Sequence, residues 1–316
     1  MTSNFELFTQ QLDDAVNVIE SSHVVFDSIE NIMSSPADII DTQSLLERCN
    51  NICRKHEEKK PTIRVIHHFA CTGGTLISKC LSALPNIFLL SEVHPFTTLH
   101  LGTGKAKFLP SDITSLAKHA QVPNHSKIAA EIFSSSILKV YEHVHKYGGG
   151  LILRDHTHSD YCVGEFNSTT ESSVIKVLET TFNINSIVTI RNPIDSFMSL
   201  KKNGWEHFIP FTFDEYCRRV CQMLNDFSHA EIFLYEDFIS DTECSVRNMC
   251  KALDITYDDM FLSIFDVFTV TGDSGRSGSV IKNRERREYN DSFKAEIEQS
   301  VHFKIIEEKI GYTLGI

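Results

Sequence analysis

Apolar residues along the 316-residue chain follow two different rhythms. Over the first 58 residues they recur at three- and four-residue spacing, as at Phe5, Phe8, Leu12, Val16 and Ile19, which puts them on one face of a helix. A further helix is expected after Ser35, with Ser35 as N-cap and Pro36 in its first turn. The charged run RKHEEKKP, stopped by Pro61, reads as a solvated linker. Beyond it the rhythm changes. TIRVIHHF (62–69), NIFLLSE (86–92), GLILRD (150–155), NSIVTIRN (185–192) and AEIFLYED (230–237) are short apolar runs bounded by turn or polar residues, and they predict strands. Helical patterns lie between them, at 75–84, 111–120, 126–146, 171–182, 194–202, 212–228 and 242–253. Nearly continuous apolar strands alternating with helices predict an α/β fold, a three-layer sandwich whose central parallel sheet is covered on both faces. The expected organisation is a helical N-terminal segment over 1–60 and an α/β domain over 61–316. Ligands of such sheets bind beyond the carboxyl ends of the strands, so the residues that follow each strand are the candidates for chemistry.

The first strand leads into HHFACTGGTLISKC (67–80), a P-loop-like βα turn. Gly73 and Gly74 let the backbone turn tightly and present N–H groups to a phosphate, Thr72 and Thr75 add hydroxyls, and the helix that follows contributes its positive end. A nucleotide triphosphatase loop, GxxxxGK[ST], carries lysine where Gly74 stands. Neither that lysine nor the first glycine is present, so a triphosphate here would lack much of its charge neutralisation. On the loop alone, a plain strand–turn–helix corner needing two glycines is an equal explanation. The stretch SIVTIRNPIDSFMSL (186–200) tips the balance. Its strand ends in Arg191, Pro193 starts a helix, and Ser199 lies eight residues beyond the arginine, so that a guanidinium fork and a hydroxyl converge on one anion if the helix runs back beside the strand end.

Composition narrows the choices further. Hydrophobic residues at 41% and charged residues at 23% fit a globular chain, and no apolar run reaches the length of a membrane span. The opening MTSNFELFTQQLDDAV carries acids early and no basic region, so a secretory signal is not expected and a cytoplasmic location is. A net charge of −12 speaks against nucleic acid as partner. Basic residues do gather locally in GRSGSVIKNRERRE (275–288). The nine cysteines follow no framework spacing. The pairs Cys49/Cys53 and Cys217/Cys221 have a spacing that could serve zinc but lack knuckle glycines, so reduced thiols and no bound metal are the expectation.

Taken together, these segments resemble the sulfotransferases that use 3′-phosphoadenosine 5′-phosphosulfate (PAPS). The family's first loop, P-[KR]-S-G-T-T-[WL], corresponds to Ala70, Cys71, Thr72, Gly73, Gly74, Thr75 and Leu76 and implies binding of the 5′-phosphosulfate. Its R-[ND]-P motif with a serine eight residues after the arginine matches Arg191 to Ser199 and implies a 3′-phosphate site. Its YEDL strand end matches Tyr235, Glu236, Asp237 and Phe238, with the tyrosine near adenine. A late glycine- and base-rich loop that closes on the 3′-phosphate is similar to GDSGRSGSVIKNR (272–284) and implicates Arg276, Ser277 and Gly278. The resemblance spans roughly 62–290, in the family's order. It implies PAPS as sulfuryl donor and 3′-phosphoadenosine 5′-phosphate (PAP) as product, with no metal, which suits a loop without the P-loop lysine. One position departs from the pattern: Cys71, expected to be a neutral thiol, stands where the family has lysine or arginine, so Arg154 and Arg276 are the candidates to supply that charge.

Transfer to a hydroxyl or amine requires a base. Glu92, closing the second predicted strand, occupies the place of the catalytic glutamate of protein-tyrosine sulfotransferases, and His156, after LILRD, matches the strand-end histidine of cytosolic ones. Glu92 is slightly favoured, with His156 as partner or alternate base. His67 and His68 are expected to be structural, and His158 to lie on the surface, because it alternates with His156. Two other readings stay open: a P-loop kinase or nucleotide hydrolase, with Asp155 as magnesium ligand, and a degenerate nucleotide-binding module that lost activity with the basic loop residue. The acceptor expected is a small molecule or saccharide. Residues 93–150 carry no acceptor signature, the acidity disfavours a heavily sulfated polysaccharide, and the oligomeric state is left open.

Overall fold

The structure, a computed structural model, describes residues 60–99, 101, 107–272, 281 and 288–310. The expectations for the N-terminal segment, for Cys49 and Cys53, and for Arg276, Ser277 and Gly278 lie outside the described residues. Contacts divide the chain into Met1–Lys60 and Pro61–Ile316, and the described strands and helices all belong to the second unit.

Strand and helix alternate as the apolar pattern requires. In chain order the elements are β1 (Thr62–His67), α1 (Gly74–Ser82), β2 (Ile87–Val93), α2 (Ile113–His119), α3 (His125–Lys146), β3 (Gly150–Asp155), α4 (His158–Tyr161), β4 (Gly164–Glu165) and α5 (Ser173–Leu178). They continue with β5 (Asn183–Ile190), α6 (Pro193–Asn203), β6 (Phe208–Ile209), α7 (Phe213–Asp226), β7 (Glu231–Leu234), α8 (Tyr235–Ser240) and α9 (Thr242–Ala252). Three more α-helices, α10 (Phe261–Ile264), α11 (Asp291–Gln299) and α12 (Val301–Ile310), and a 3-10 turn at Phe265–Val267 complete the described part.

Five strands form one sheet in the order β2-β3-β1-β5-β7, with every neighbouring pair parallel. β4 and β6 form a separate two-stranded parallel pair. The α/β class with a covered parallel sheet is therefore observed. The strands sort their side chains by parity onto two helical layers. Ile63 and Val65 of β1 and Leu151 and Leu153 of β3 pack with Ile137, Val144, Val174 and Leu178 of α3 and α5. On β5, Val188 and Ile190 meet the aromatic core built by α6, α7 and α12. The residues of opposite parity, Ile66, Ile152 and Ile187, meet Ile77 and Leu81 of α1 and Val246 and Met249 of α9. All of these strand residues are at most 2% exposed, and each such side chain contributes roughly 1.5–3 kcal/mol.

The order also locates the site. The chain leaves β1 for the far edge at β2, returns to β3 beside β1, and then crosses to β5 on the other flank. At such a reversal the loops part and leave a crevice above the central strand. Several strands stop earlier than the apolar runs suggested. β1 ends at His67 and β5 at Ile190, so His68 and Arg191 stand at the mouth. Asn192 caps α6 through Oδ1 on the Ile194 N–H, Pro193 fills its first turn, and Gly204 ends it in the left-handed conformation. Tyr235, read as strand, instead opens α8, where Glu236 and Asp237 suit a helix N-terminus. No helix among the described residues is long and apolar enough to cross a membrane.

Candidate functional site

The loop after β1 is shaped by two glycines at which a side chain would be strained or crowded. Gly73 is left-handed, with φ at 88°, and a Cβ there would lie 2.1 Å from the Tyr235 ring. A Cβ on Gly74 would lie 2.5 Å from the ring of His68. The loop is thus clamped between an aromatic ring from the end of β7 and an imidazole from the end of β1. Gly73 is the N-cap of α1 and offers no side chain to the helix's first N–H groups, which leaves that positive end available to an anion. Thr72 does not add a hydroxyl to this face. Its Oγ1 donates to the Phe69 carbonyl at 2.7 Å and the residue is buried, because the turn back from β1 brings that carbonyl within reach. Thr75 does present its hydroxyl, which donates to the Gly272 carbonyl at 3.4 Å. Leu76 packs into the core below the loop.

Arg191 comes to the same loop. Its guanidinium donates to the Cys71 carbonyl at 3.4 Å and stands 5.2 Å from the Tyr235 ring centroid. Cys71 is itself left-handed, with φ at 69°, and its Sγ accepts from Asn203 Nδ2 at 3.5 Å. Ser199 and Asn203 are one turn apart on α6 and share a face, so the face that carries Ser199 is the one turned to the loop.

A second group lies beyond β2 and β3. A bulge in β2 between Ser91 and Val93 throws Glu92 into the left-handed region, with φ at 60°. Strain of this kind gathers at functional sites. Glu92 Oε1 pairs with Arg154 at 2.6 Å, and Glu92 Oε2 accepts from His156 Nδ1. Arg154 is 3% exposed; its Nε–H donates to His68 Nε2 at 2.6 Å and its NH1 to Ser91 Oγ at 2.9 Å. Burial works against ionisation of Glu92, but the His156 hydrogen bond and the Arg154 charge outweigh it and hold the carboxyl at about 2. His68 donates from Nδ1 to the Phe69 carbonyl at 2.8 Å and accepts from Arg154 at Nε2; burial and the Arg154 charge push it down to about 3, so the ring is neutral. With His156 Nδ1 engaged by Glu92, Nε2 is the ring nitrogen left to accept in the neutral tautomer. The two groups form one continuous site. His68 links Arg154 to the underside of Gly74, and Gly272, whose carbonyl meets Thr75, lies so close to Glu92 that a Cβ there would be 2.6 Å from the Glu92 Cγ.

No protein-family model matches this sequence, and no curated protein sequence matches it significantly. The chain is similar to solved sulfotransferases. The sulfotransferase domain of the Synechococcus PCC 7002 olefin synthase shares 16% identity over 82% of this chain and 98% of its own, with a TM-score of 0.46. The sulfotransferase domain from the curacin biosynthetic pathway shares 16% over 82% and 100%, at 0.49, and mouse sulfotransferase SULT7A1 complexed with PAP shares 12% over 81% and 86%, at 0.40.

Of the residues singled out in the sequence, the described ones fall into these two linked groups: Cys71 to Leu76 with Arg191, Ser199 and Tyr235, and Glu92 with Arg154 and His156. Two readings need correction. Asp155 is not at the mouth; it is wholly buried, and its Oδ2 accepts from His67 Nδ1 at 2.8 Å, Thr157 at 3.0 Å and Ser172 at 3.3 Å. His158 is not on the surface either. The chain turns into α4 after β3, which breaks the strand alternation and leaves His158 3% exposed. Sequence reasoning missed His68, which it counted inside the strand, and Asn203, whose signal was its place one turn after Ser199. Cys217 and Cys221 lie in the core, with burial raising both thiols, Cys221 to about 11. Past the end of β2 a cavity of about 260 Å³ is lined by Phe96, Thr97, Leu99, Ser159 and Val163 together with the His94–Asp160 pair.

Proposed function

We propose that this chain is a sulfotransferase that moves the sulfuryl group of PAPS to a hydroxyl or amine of a small acceptor, leaving PAP. The observation that carries the reading is the contact between a Glu92–His156 pair, with one imidazole nitrogen left for chemistry, and a glycine loop that has a helix N-terminus but no lysine. The loop fits such a donor, since its stretch from His68 to Ile77 contains no carboxylate and Arg191 stands beside it. In this reading the Cys71–Leu76 backbone and Thr75 hold the 5′ end, Arg191 and Ser199 the 3′-phosphate with Arg276, Ser277 and Gly278, and Tyr235 the adenine side. Bound PAPS supplies an activated sulfuryl group, and in the family resembled its transfer needs no metal.

His156 is the base: its Nε2 takes the proton from the attacking acceptor atom, and the Glu92 carboxylate stabilises the imidazolium that forms. Glu92 is then the orienting partner, because a carboxyl held at about 2 is a weak proton acceptor at neutral pH. Arg154 acts through Glu92, fixing its other oxygen, and does not stand in as a loop cation. The cavity beside Phe96, Thr97 and Leu99 receives the acceptor; its lining has hydroxyls, apolar walls and the His94–Asp160 pair, and no lysine or arginine. A kinase reading would need Asp155 free at the mouth, and it is tied to His67, Thr157 and Ser172.

The test is transfer from sulfur-labelled PAPS to pooled phenols, alcohols and amines, beside calorimetry with PAP and ATP. Labelled product and PAP binding are expected, with His156→Ala lowering turnover about 10²–10⁴-fold at unchanged PAP affinity. PAP binding without transfer makes the chain a binding module, and binding of ATP alone makes it a kinase.

A further inference from the structure

The pairing of Glu92 with His156 leaves a group of imidazoles unused. His158, at the start of α4, is 3% exposed, and neither of its ring nitrogens has a hydrogen-bond partner among the described residues. It stands edge-on between two more histidines, with centroids 6.4 Å from His156 at 79° and 5.7 Å from His207 at 72°. His156 Nε2 and His207 Nδ1 are likewise buried and unpartnered. An orphaned buried polar atom costs roughly 1–3 kcal/mol, and among the described residues the buried ring nitrogens without a partner all belong to these three neighbouring imidazoles. Four such nitrogens on three adjacent rings, drawn from two stretches of chain, mark a polar path. No direct hydrogen bond joins these nitrogens, and one water between each pair would give all four a polar partner. The inner end of the row is the base. The outer end, His207, is only partly buried and lies just before β6, where its carbonyl accepts from Gly164 N at 2.8 Å.

We propose that His156, His158 and His207 form a water-bridged track that carries the proton collected at His156 Nε2 out to solvent, with His158 and His207 as positioning residues of the reaction. The proposal rests on the sulfotransferase reading. The steps balance: imidazolium His156 gives its Nε2 proton to the first water, which protonates one nitrogen of His158. The opposite nitrogen of His158 releases its own proton through the second water to His207 Nδ1. His207 then loses its Nε2 proton to solvent, and return of His158 and His207 to their first tautomers resets the path. Such a relay requires a middle ring that is neutral, a donor on one side and an acceptor on the other. Burial, with the His156 and His207 charges adding to it, holds His158 down at about 3, which meets that requirement. The titratable groups facing His158 are His156, His207, Glu92 and His68, and its remaining ring neighbour is Phe69, edge-on at 6.2 Å.

Two measurements decide it. In the full chain labelled with ¹⁵N-histidine, with His158→Phe to assign the signals, both His158 nitrogens should show hydrogen-bonded shifts and the ring should cross-relax with water. Unbonded shifts without water cross-relaxation overturn the track, whatever the chain catalyses. With labelled PAPS and phenol as the acceptor probe, His207→Ala should lower turnover about tenfold in dilute buffer, added imidazole should restore it, and PAP affinity should not move. Unchanged turnover, or a loss that imidazole does not repair, also overturns it. A wild type with no transfer at all sinks the sulfotransferase reading, and the NMR result then decides the track by itself.

Discussion

The substitution Glu92→Gln separates the electrostatic argument from the catalytic one. Holding the carboxyl at about 2 against its ordinary 4.5 corresponds to about 3 kcal/mol, at about 1.4 kcal/mol for each tenfold step. An independent route gives a similar figure. The partners are 4% and 20% exposed, and removing one member of a buried pair costs about 3–5 kcal/mol because the other charge is left unpaired. The sign follows from the direction of the shift. A depressed carboxyl contributes stability that is complete above its unfolded value, near 4.5, and is lost as pH falls toward about 2. Urea unfolding of wild type and Glu92→Gln at several pH values is the assay. The wild type should be more stable by about 3 kcal/mol at neutral pH, and the gap should narrow by about 2 kcal/mol on going to about pH 3. A gap that stays constant with pH, or no gap, would refute the claim that Arg154 and His156 hold an ionised Glu92, and with it the orientation assigned to His156.

Arg191→Ala should weaken PAP binding by about tenfold to a hundredfold, as loss of a charge-assisted contact of roughly 1.5–3 kcal/mol requires; isothermal calorimetry reads it, and unchanged affinity removes the 3′-phosphate assignment. Gly73→Ala should destabilise by about 1–3 kcal/mol in chemical denaturation, because φ is positive and the new Cβ meets Tyr235. Adding Tyr235→Ala should recover part of that loss, and no recovery would deny the clash. Asp155→Ala should cost about 1–3 kcal/mol by leaving His67, Thr157 and Ser172 without their acceptor; a neutral result would mean that the buried carboxylate holds nothing.

Strands of a covered parallel sheet print themselves as short apolar runs, so the central β1, β3 and β5 and the edge strands β2 and β7 were legible in the sequence, and Pro193 marked the start of α6. Local turns were not. The left-handed backbone at Cys71 and Glu92 carries no glycine to announce it, α8 begins where a strand was expected to continue, and the short α4 was not expected. The loop, Arg191 and Tyr235 were legible because their spacing is local to one βα unit each. The pairing of Glu92 with Arg154 and His156 joins residues more than sixty positions apart and depends on which strands become neighbours, which periodicity does not encode. His68 was lost to a boundary placed two residues too late. His158 was misread because its burial comes from a helix that starts after the strand, and not from strand parity.

The clamp on Gly73 has a consequence for the order in which the chain is made. β1 sits at the centre of the sheet, yet its second edge is closed only by β5, more than a hundred residues later, and the ring that bears on Gly73 arrives only with Tyr235. Such distant closures are slow and entropically costly. A nascent chain that has passed the glycine loop, α1 and β3 therefore owns every residue of the turn but not its shape. On the proposed reading, nucleotide binding would require the segment through α8 to have docked, so nucleotide affinity in a series of C-terminal truncations would report when folding has finished.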